Sequence, residues 1–367
     1  MASAALQPGL QIRPVLTHED VVEMVHRLYG LRDVQITDLN AYDDRNYHIR
    51  VKEYQASLWP HGYVFKVVNT LDSQKPSHIE VQTELLMYLD SHGFTCPQPV
   101  KNVDGKYLSV EELPKRGPAP RRSHVVRLLT FRPGRILADV PVSPGLMFQL
   151  GGFVARLDRC LQGFHHPVLE RHETLWRLNS APQARQFAFA VEDEKNRQLV
   201  EQVLDEFERN VLPNYGAMEK GTVHGDLNEQ NLVCTEEEGV SVVLDLGDCH
   251  VSSYLFELAV CLCYIMLLRA PPPLGPVDVA GHVLAGYCAV RPLPDAEMRM
   301  LKTCVCARLC QSLVLGAYSF LQAPDNAYLL TTARRGWGLL RDLWGAPPGE
   351  LEARWKDILA SCRGGAV

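Results

Sequence analysis

The stretch Thr222-Val-His-Gly-Asp-Leu-Asn-Glu-Gln-Asn-Leu-Val-Cys234, followed after a short turn by Val242-Val-Leu-Asp-Leu-Gly-Asp248, constrains this chain more than any other part of it. The first run sets Asp226 and Asn231 in an Asp-x4-Asn spacing within one loop, and the second ends an apolar strand on Asp245. Two carboxylates and an amide oxygen brought together in this way suit phosphoryl transfer, a reaction that needs positioning and charge neutralisation far more than covalent chemistry by the protein. One carboxylate faces the attacking hydroxyl, the role expected of Asp226. The second, with a neutral oxygen, holds Mg²⁺ against the phosphates, the roles expected of Asp245 and Asn231. Gly225 lets the loop turn tightly, and His224 supports it from behind. Val242 to Leu244 reads as a buried strand that delivers Asp245 rigidly. Gly-Asp alone is ordinary turn chemistry; the correctly offset Asn231 and the strand-end Asp245 carry the reading.

The 367 residues can bury a sizeable core and suggest one large bilobal unit or two domains. A hydrophobic content of 46% beside 22% charged residues is that of an ordinary globular protein. The net charge of −6, with no long Lys/Arg-rich run, argues against a nucleic-acid binder. The most apolar run, Leu258 to Leu268, is too short to span a bilayer and reads as a core helix. The N-terminus, MASAALQPGLQIRP, lacks a charged region followed by an apolar one, so no secretory signal is expected. The 11 cysteines form no C-x2-C pairs and read as free buried thiols in a reducing compartment. These features predict a cytoplasmic protein with no obligate protein partner.

In chain order, Thr17 to Tyr29 predicts an amphipathic helix capped by Thr17 and ended by Gly30. Val34–Leu39, Asn46–Val51 and Gly62–Val68 predict strands. Lys66 is a charge inside an apolar strand, costly to bury unless it meets an anion, and a nucleotide phosphate is the natural partner. On the helix predicted from Ser77 to His92, Glu80 and Glu84 share a face. One of them should hold Lys66; Glu80 is favoured, and Gln82 also falls nearby. A strand from Leu108 to Leu113, a Pro/Arg-rich loop from Pro114 to Arg122 and a buried strand from Val125 to Phe131 lead to Pro133-Gly134, a natural hinge. Beyond it the pattern turns helical, over Leu146–Leu161, 185–212, Tyr254 onward and Ala296–Phe320. His165 and His166 are expected to cap rather than to bind metal. Arg308, polar in an apolar helix, must be satisfied by a substrate carboxylate or by an internal acid such as Glu257.

His224-Gly-Asp226 stands where protein kinases carry His-Arg-Asp, with the same spacing to Asn231. The chain resembles the aminoglycoside phosphotransferase and choline kinase family, of protein-kinase-like fold. The resemblance implies an α+β bilobal protein: a small antiparallel N-lobe over residues 1–130 with one key helix, and a larger, mainly helical C-lobe over 131–367 with the catalytic loop, metal site and substrate pocket. It implies nucleotide contacts from Lys66, held by Glu80, from Asn46 in the turn Asn40 to Tyr47, which lacks G-x-G-x-x-G, and from the backbone of Leu129, Thr130 and Phe131 to the purine. The finer set Tyr42-Asp-Asp-x-Asn-Tyr47, Leu128-Leu-Thr-Phe-x-Pro-Gly134, Phe164-His-His-Pro167, His224-Gly-Asp-Leu-Asn228, Gly281-His-Val-Leu-Ala-Gly286 and Arg308-x-Cys-Gln-Ser-Leu313 resembles the branch acting on 5-hydroxy-L-lysine. That branch implies GTP as donor and Mg²⁺ as cofactor. Such a substrate calls for acidic groups, with Asp43, Asp44, Asp248 and Glu257 as candidates, and for one cation, with Arg308 as candidate; for Glu257 the resemblance also implies that an acid at this position orders the catalytic loop or faces the cavity. The residues by themselves reach only a small-molecule hydroxyl kinase; homoserine, choline, a sugar or an aminoglycoside remain alternative substrates, as does a nucleotide-binding scaffold without turnover.

Overall fold

The computed structural model describes residues 12–52, 58–115, 120–235 and 239–364. The first eleven residues, on which the signal reading rests, and the middle of the Pro114–Arg122 loop lie outside these. The chain divides into two compact units, Met1–Pro133 and Gly134–Val367.

The first unit opens with α1 (His18–Tyr29), whose Thr17 and Asp20 form a reciprocal capping box and whose C-terminus closes on Gly30 at φ 70°. Helical spacing puts Val21, Met24, Val25 and Leu28 on one face, where they join Ile49, Phe65, Val67, Val126 and Leu128 in one core. Each such side chain contributes about 1.5–3 kcal/mol by leaving water. The strands β1 (Val34–Leu39), β2 (Arg45–Val51), β3 (Tyr63–Val67), β4 (Pro99–Val100), β5 (Ser109–Leu113) and β6 (Arg122–Thr130) form one antiparallel sheet. Its order is β1-β2-β3-β6-β4, with β5 also paired to β6. The registers set Asn46 opposite Lys66 and Lys66 opposite Arg127. In α2 (Pro76–Ser91), His78, Ile79, Gln82, Leu85, Leu86 and Leu89 are buried, while Glu80 and Glu84 are exposed.

The second unit begins with β7 (Arg135–Ile136), which pairs with β9 (Leu232–Thr235); β9 in turn pairs with β10 (Gly239–Val243). A separate ribbon joins β8 (Lys220–Val223) to β11 (His250–Ser253), His250 opposite Val223. The helices are α3 (Pro144–Leu161), α4 (Pro167–Glu170), α5 (Glu194–Asn210), α6 (Tyr254–Ile265), α7 (Pro276–Val290), α8 (Asp295–Gln322), α9 (Ala333–Gly345) and α10 (Glu350–Gly364). His166 caps α4 through its ring nitrogen, as expected. Where one helix is expected over 185–212, a 3-10 segment (Leu178–Ala190) precedes α5, which starts afresh where the Asp193 side chain caps it by accepting the Asn196 N–H. By length and composition α8 is long and apolar enough to cross a membrane, but 78% of its apolar window is buried within the fold, as in a core helix.

Candidate active site

The ribbon β8–β11 and the hairpin β9–β10 together place the chemistry-bearing loop. Val223 is the last residue of β8, so His224 enters the loop directly from a fixed strand. His224 Nε2 lies 2.7 Å from the Leu244 carbonyl. Gly225 takes φ 85°, and a Cβ there would meet the Asp248 carbonyl oxygen at 2.3 Å, so both conformation and close approach demand glycine. Asn231 precedes β9 and Leu244 follows β10, and the Leu244 N–H donates to the Asn231 carbonyl at 2.8 Å. The hairpin register therefore brings Asn231 and Asp245 to the same end. Asp245 sits at φ 48°, its Oδ1 accepting the Gly247 N–H at 3.2 Å, and it is exposed.

Asp226 is held through both carboxylate oxygens. Oδ2 accepts from Asn228 Nδ2 at 2.8 Å and from Asn231 Nδ2 at 3.0 Å. Oδ1 accepts from Arg308 Nη2 at 3.1 Å. Asn228, for which the sequence predicts no role, also accepts from the N–H groups of Gln230 and Asn231 through Oδ1. Its place two residues after Asp226 carried the signal, since an asparagine there closes a local turn on its own backbone.

Glu257 is not a substrate carboxylate. It is 1% exposed on α6, and its two oxygens accept the N–H groups of His224 and Gly225 at 3.0 and 2.9 Å. Burial and the Asp158 charge push its pKa up, while the His224 ring and the two amides oppose that rise. Nor does Glu257 satisfy Arg308; the internal acid is Asp226. Arg308, also 1% exposed, spends Nε on Tyr264 Oη and Nη1 on the Trp176 carbonyl and Gln311 Oε1. These bonds leave it badly placed for the substrate carboxylate expected there. Asp248 lies before β11, its carbonyl oxygen 2.7 Å from His250 Nδ1.

In the first unit Lys66 is 7% exposed. Its Nζ lies 3.1 Å from Asp44 Oδ2, so the carboxylate expected from Glu80 comes instead from the β1–β2 turn. Glu80 points to solvent because the buried face of α2 runs through Ile79, Gln82 and Leu86. Gln82 Oε1 accepts from Arg127 at 2.7 Å. Asp44 Oδ1 also takes the N–H and Nδ2 of Asn69, so Asp44 serves Lys66 and this loop rather than a substrate amine. Desolvation pushes neighbouring Asp43 up to about 7, with the Asp44 and Asp72 charges adding. Asn46 Oδ1 is buried without a hydrogen-bond partner. The expected purine contacts lose two amides: Thr130 N–H donates to the Gln98 carbonyl and Phe131 N–H to the Gly62 carbonyl. The Phe131 carbonyl accepts from Trp59 Nε1 at 2.7 Å, while Leu129 lies in β6 opposite Val64.

Among the described residues, no group of three or more His, Cys, Asp or Glu stands together as a metal site. Asn231 and Asp245 offer one amide and one carboxylate, a set that suits a cation completing its shell with phosphate oxygens and water.

The model of the phosphotransferase enzyme family matches residues 35–293. The chain belongs to the phosphotransferase enzyme family. This phosphotransferase is 33% identical to the hydroxylysine kinase of Bos taurus, with 96% of each chain covered. It is 33% identical to that of Danio rerio over 94% of this chain and 96% of the relative. Among solved structures it superposes on a microcompartment-associated aminopropanol kinase with a TM-score of 0.67 at 21% identity, covering 90% and 98% of the two chains. It also superposes on an amicoumacin kinase in complex with AMP-PNP and Ca²⁺, with a TM-score of 0.65 at 19% identity, covering 88% and 93%. These neighbours show the kinase-like fold expected from the sequence. The phosphotransferase is an enzyme that transfers phosphate to a hydroxyl.

Proposed function

We propose that this phosphotransferase moves the γ-phosphate of GTP to the 5-hydroxyl of 5-hydroxy-L-lysine in the cytoplasm, with Mg²⁺ as cofactor. The observation that carries the substrate is the end-to-end similarity to the Bos taurus hydroxylysine kinase, 33% identical over 96% of both chains. Asp226 orients the substrate hydroxyl and accepts its proton. Its oxygens, each already held by a donor, present a fixed lone pair to the hydroxyl, which lowers the entropic cost of reaching the transition state. Asn231 and Asp245 hold Mg²⁺, which neutralises phosphate charge when bound. Lys66, steadied by Asp44, supplies a further positive charge to the phosphates, and the unsatisfied Asn46 Oδ1 is available to the nucleotide. Asp43 and Asp248 are the acidic candidates for the substrate's amines.

Phosphate transfer from GTP and from ATP should be measured on 5-hydroxylysine, homoserine, choline and an aminoglycoside, with Asp226→Asn as control. GTP-dependent turnover confined to 5-hydroxylysine is expected, with kcat of the variant down by roughly three orders of magnitude while its fold is kept. Turnover on homoserine instead would discard the substrate and keep the chemistry. Preference for ATP would discard the donor, and tight nucleotide binding without any product would point to a scaffold.

A further inference from the structure

Arg308 is a guanidinium buried in the second unit, and burying such a charge costs several kcal/mol unless its donors are met and its charge is opposed. Both conditions hold, through groups drawn from separate segments. Tyr264 Oη on α6 takes Nε at 3.1 Å, and the Trp176 carbonyl takes Nη1 at 2.7 Å. Gln311, one turn further along α8, takes Nη1 at 2.9 Å. Gln311 is itself tied to the backbone, its Nε2 donating to the carbonyls of Leu175 and Arg177. The rings of Trp176 and Tyr264 lie 5.0 and 5.4 Å from the guanidinium carbon. Its plane is thus set by the rings, by α6 and by the segment through Trp176. The remaining edge meets Asp226 Oδ1, with a side-chain exposure of 1% for Arg308 and 23% for Asp226.

An arginine needed only to fill space would require neither the charge nor the fork, since an apolar side chain of that length packs as well at lower desolvation cost. Here the fork presents one N–H to the partly exposed carboxylate and buries the rest of itself. Asn228 and Asn231 fix the opposite oxygen, and Arg308 removes the rotation that two donors on one oxygen would still allow.

We infer that Arg308 is a positioning residue of the transfer site, acting through Asp226 by holding Oδ1 so that the free lone pair meets the substrate hydroxyl. The inference rests on the reading of Asp226 as the group that receives that hydroxyl. It also assigns Tyr264 and Gln311 as the supports that keep the fork aimed.

The test is steady-state kinetics of the full chain with Arg308→Lys, Arg308→Met and Tyr264→Phe, alone and on the Asp226→Asn background, with Tm recorded for each. Arg308→Met should lose about 100-fold in kcat and Arg308→Lys about 10-fold, because lysine restores charge without the fork; both KM values should stay within about twofold. Tyr264→Phe keeps the ring and removes one bond to the fork, and should lose about threefold in kcat with KM unchanged. On the Asp226→Asn background none of the three should cost more. A folded Arg308→Met with unchanged kcat would overturn the inference. So would a rise in hydroxy-amine KM at constant kcat, which would make Arg308 a substrate ligand, or losses that multiply on the Asp226→Asn background. Should Arg308→Met not fold, the kcat of Tyr264→Phe and Arg308→Lys decides in its place. Full turnover by Asp226→Asn alone would strike the underlying reading rather than this one.

Discussion

The loop through Asp226 and the turn through Asp44 both carry carboxylates beside a cation, yet they are built in opposite ways. Around Asp226 most polar groups are answered from inside the second unit, the buried Glu229 Oε2 being an exception: Glu257 takes two amides, His224 meets Leu244, and Arg308 and the two asparagines share the carboxylate. Around Asp44 an ion pair to Lys66, the Asn69 contacts and Arg13, which donates to the carbonyls of Ala41 and Asp44, hold the turn, while Asn46 keeps a buried oxygen without a partner and Asp43 is pushed up to about 7 by desolvation and its acidic neighbours. The contrast is between a preorganised group and groups that gain by meeting a ligand. A fixed acceptor supplies orientation before the substrate arrives. Groups left short of partners gain from binding and so contribute to affinity.

The contrast is broken most forcefully at Glu257. Glu257→Ala leaves the amides of His224 and Gly225 without acceptors, and each buried unsatisfied amide costs about 1–3 kcal/mol. Thermal unfolding should show a Tm lower by roughly 8 °C, and kcat of the folded fraction should drop by about 100-fold as the loop loosens. A variant with the wild-type Tm and kcat would mean that the loop does not depend on its buried carboxylate.

A milder effect is expected at Asp44. Asp44→Asn keeps the acceptor for Asn69 and removes the charge opposite Lys66. Nucleotide KM should rise about 5- to 10-fold with kcat nearly unchanged, since a loosened Lys66 weakens ground state and transition state alike. A loss confined to kcat would place Asp44 with the preorganised groups and erase the distinction. Glu80→Ala, on the solvent face of α2, should leave both constants within about twofold, as a surface change away from any contact does.

These expectations separate what one sequence shows from what it hides. Local chemistry was legible: Thr17 and Gly30 bracketed α1, and His-Gly-Asp-x4-Asn with a strand-end Asp located the loop, because their geometry depends on neighbours a few residues away. The partner of Lys66 was not. Periodicity puts Glu80 and Glu84 on a common face without saying which face turns inward, although Ile79, Leu86 and Leu89 marked the opposite one. The partners of Arg308 and Glu257 lie far along the chain and are joined only by packing. Polarity showed that each needed a partner, and only the fold could supply it.

The smallest effect, and the sharpest on the inner scaffold, concerns Asp158 behind Glu257. Asp158 on α3 is fully buried; Oδ2 accepts from Tyr287 Oη at 2.7 Å, and Oδ1 is without a partner. Burial pushes it up to about 7, opposed by the Tyr287 hydrogen bond and the Arg291 charge. Glu257 stands as a second carboxyl in the cluster, and the hydroxyl of Tyr254 on α6 also faces it. Glu257 accepts two amides and is thereby favoured as the anion, so the proton retained by the pair resides on Asp158. An unfolded aspartate titrates near 3.9, so between about pH 4 and 7 the native state holds a proton that the unfolded chain has released. Stability from this site is therefore full at low pH and is lost as pH rises through 7. The expected loss is on the order of 2 kcal/mol, seen as a Tm decline of roughly 4 °C between pH 5.5 and 8.5. Asp158→Asn fixes the neutral state and should flatten that decline while leaving kcat near the wild-type value. An unchanged slope would mean that the proton belongs to Glu257, and that the catalytic loop rests on a neutral acid rather than on an anion.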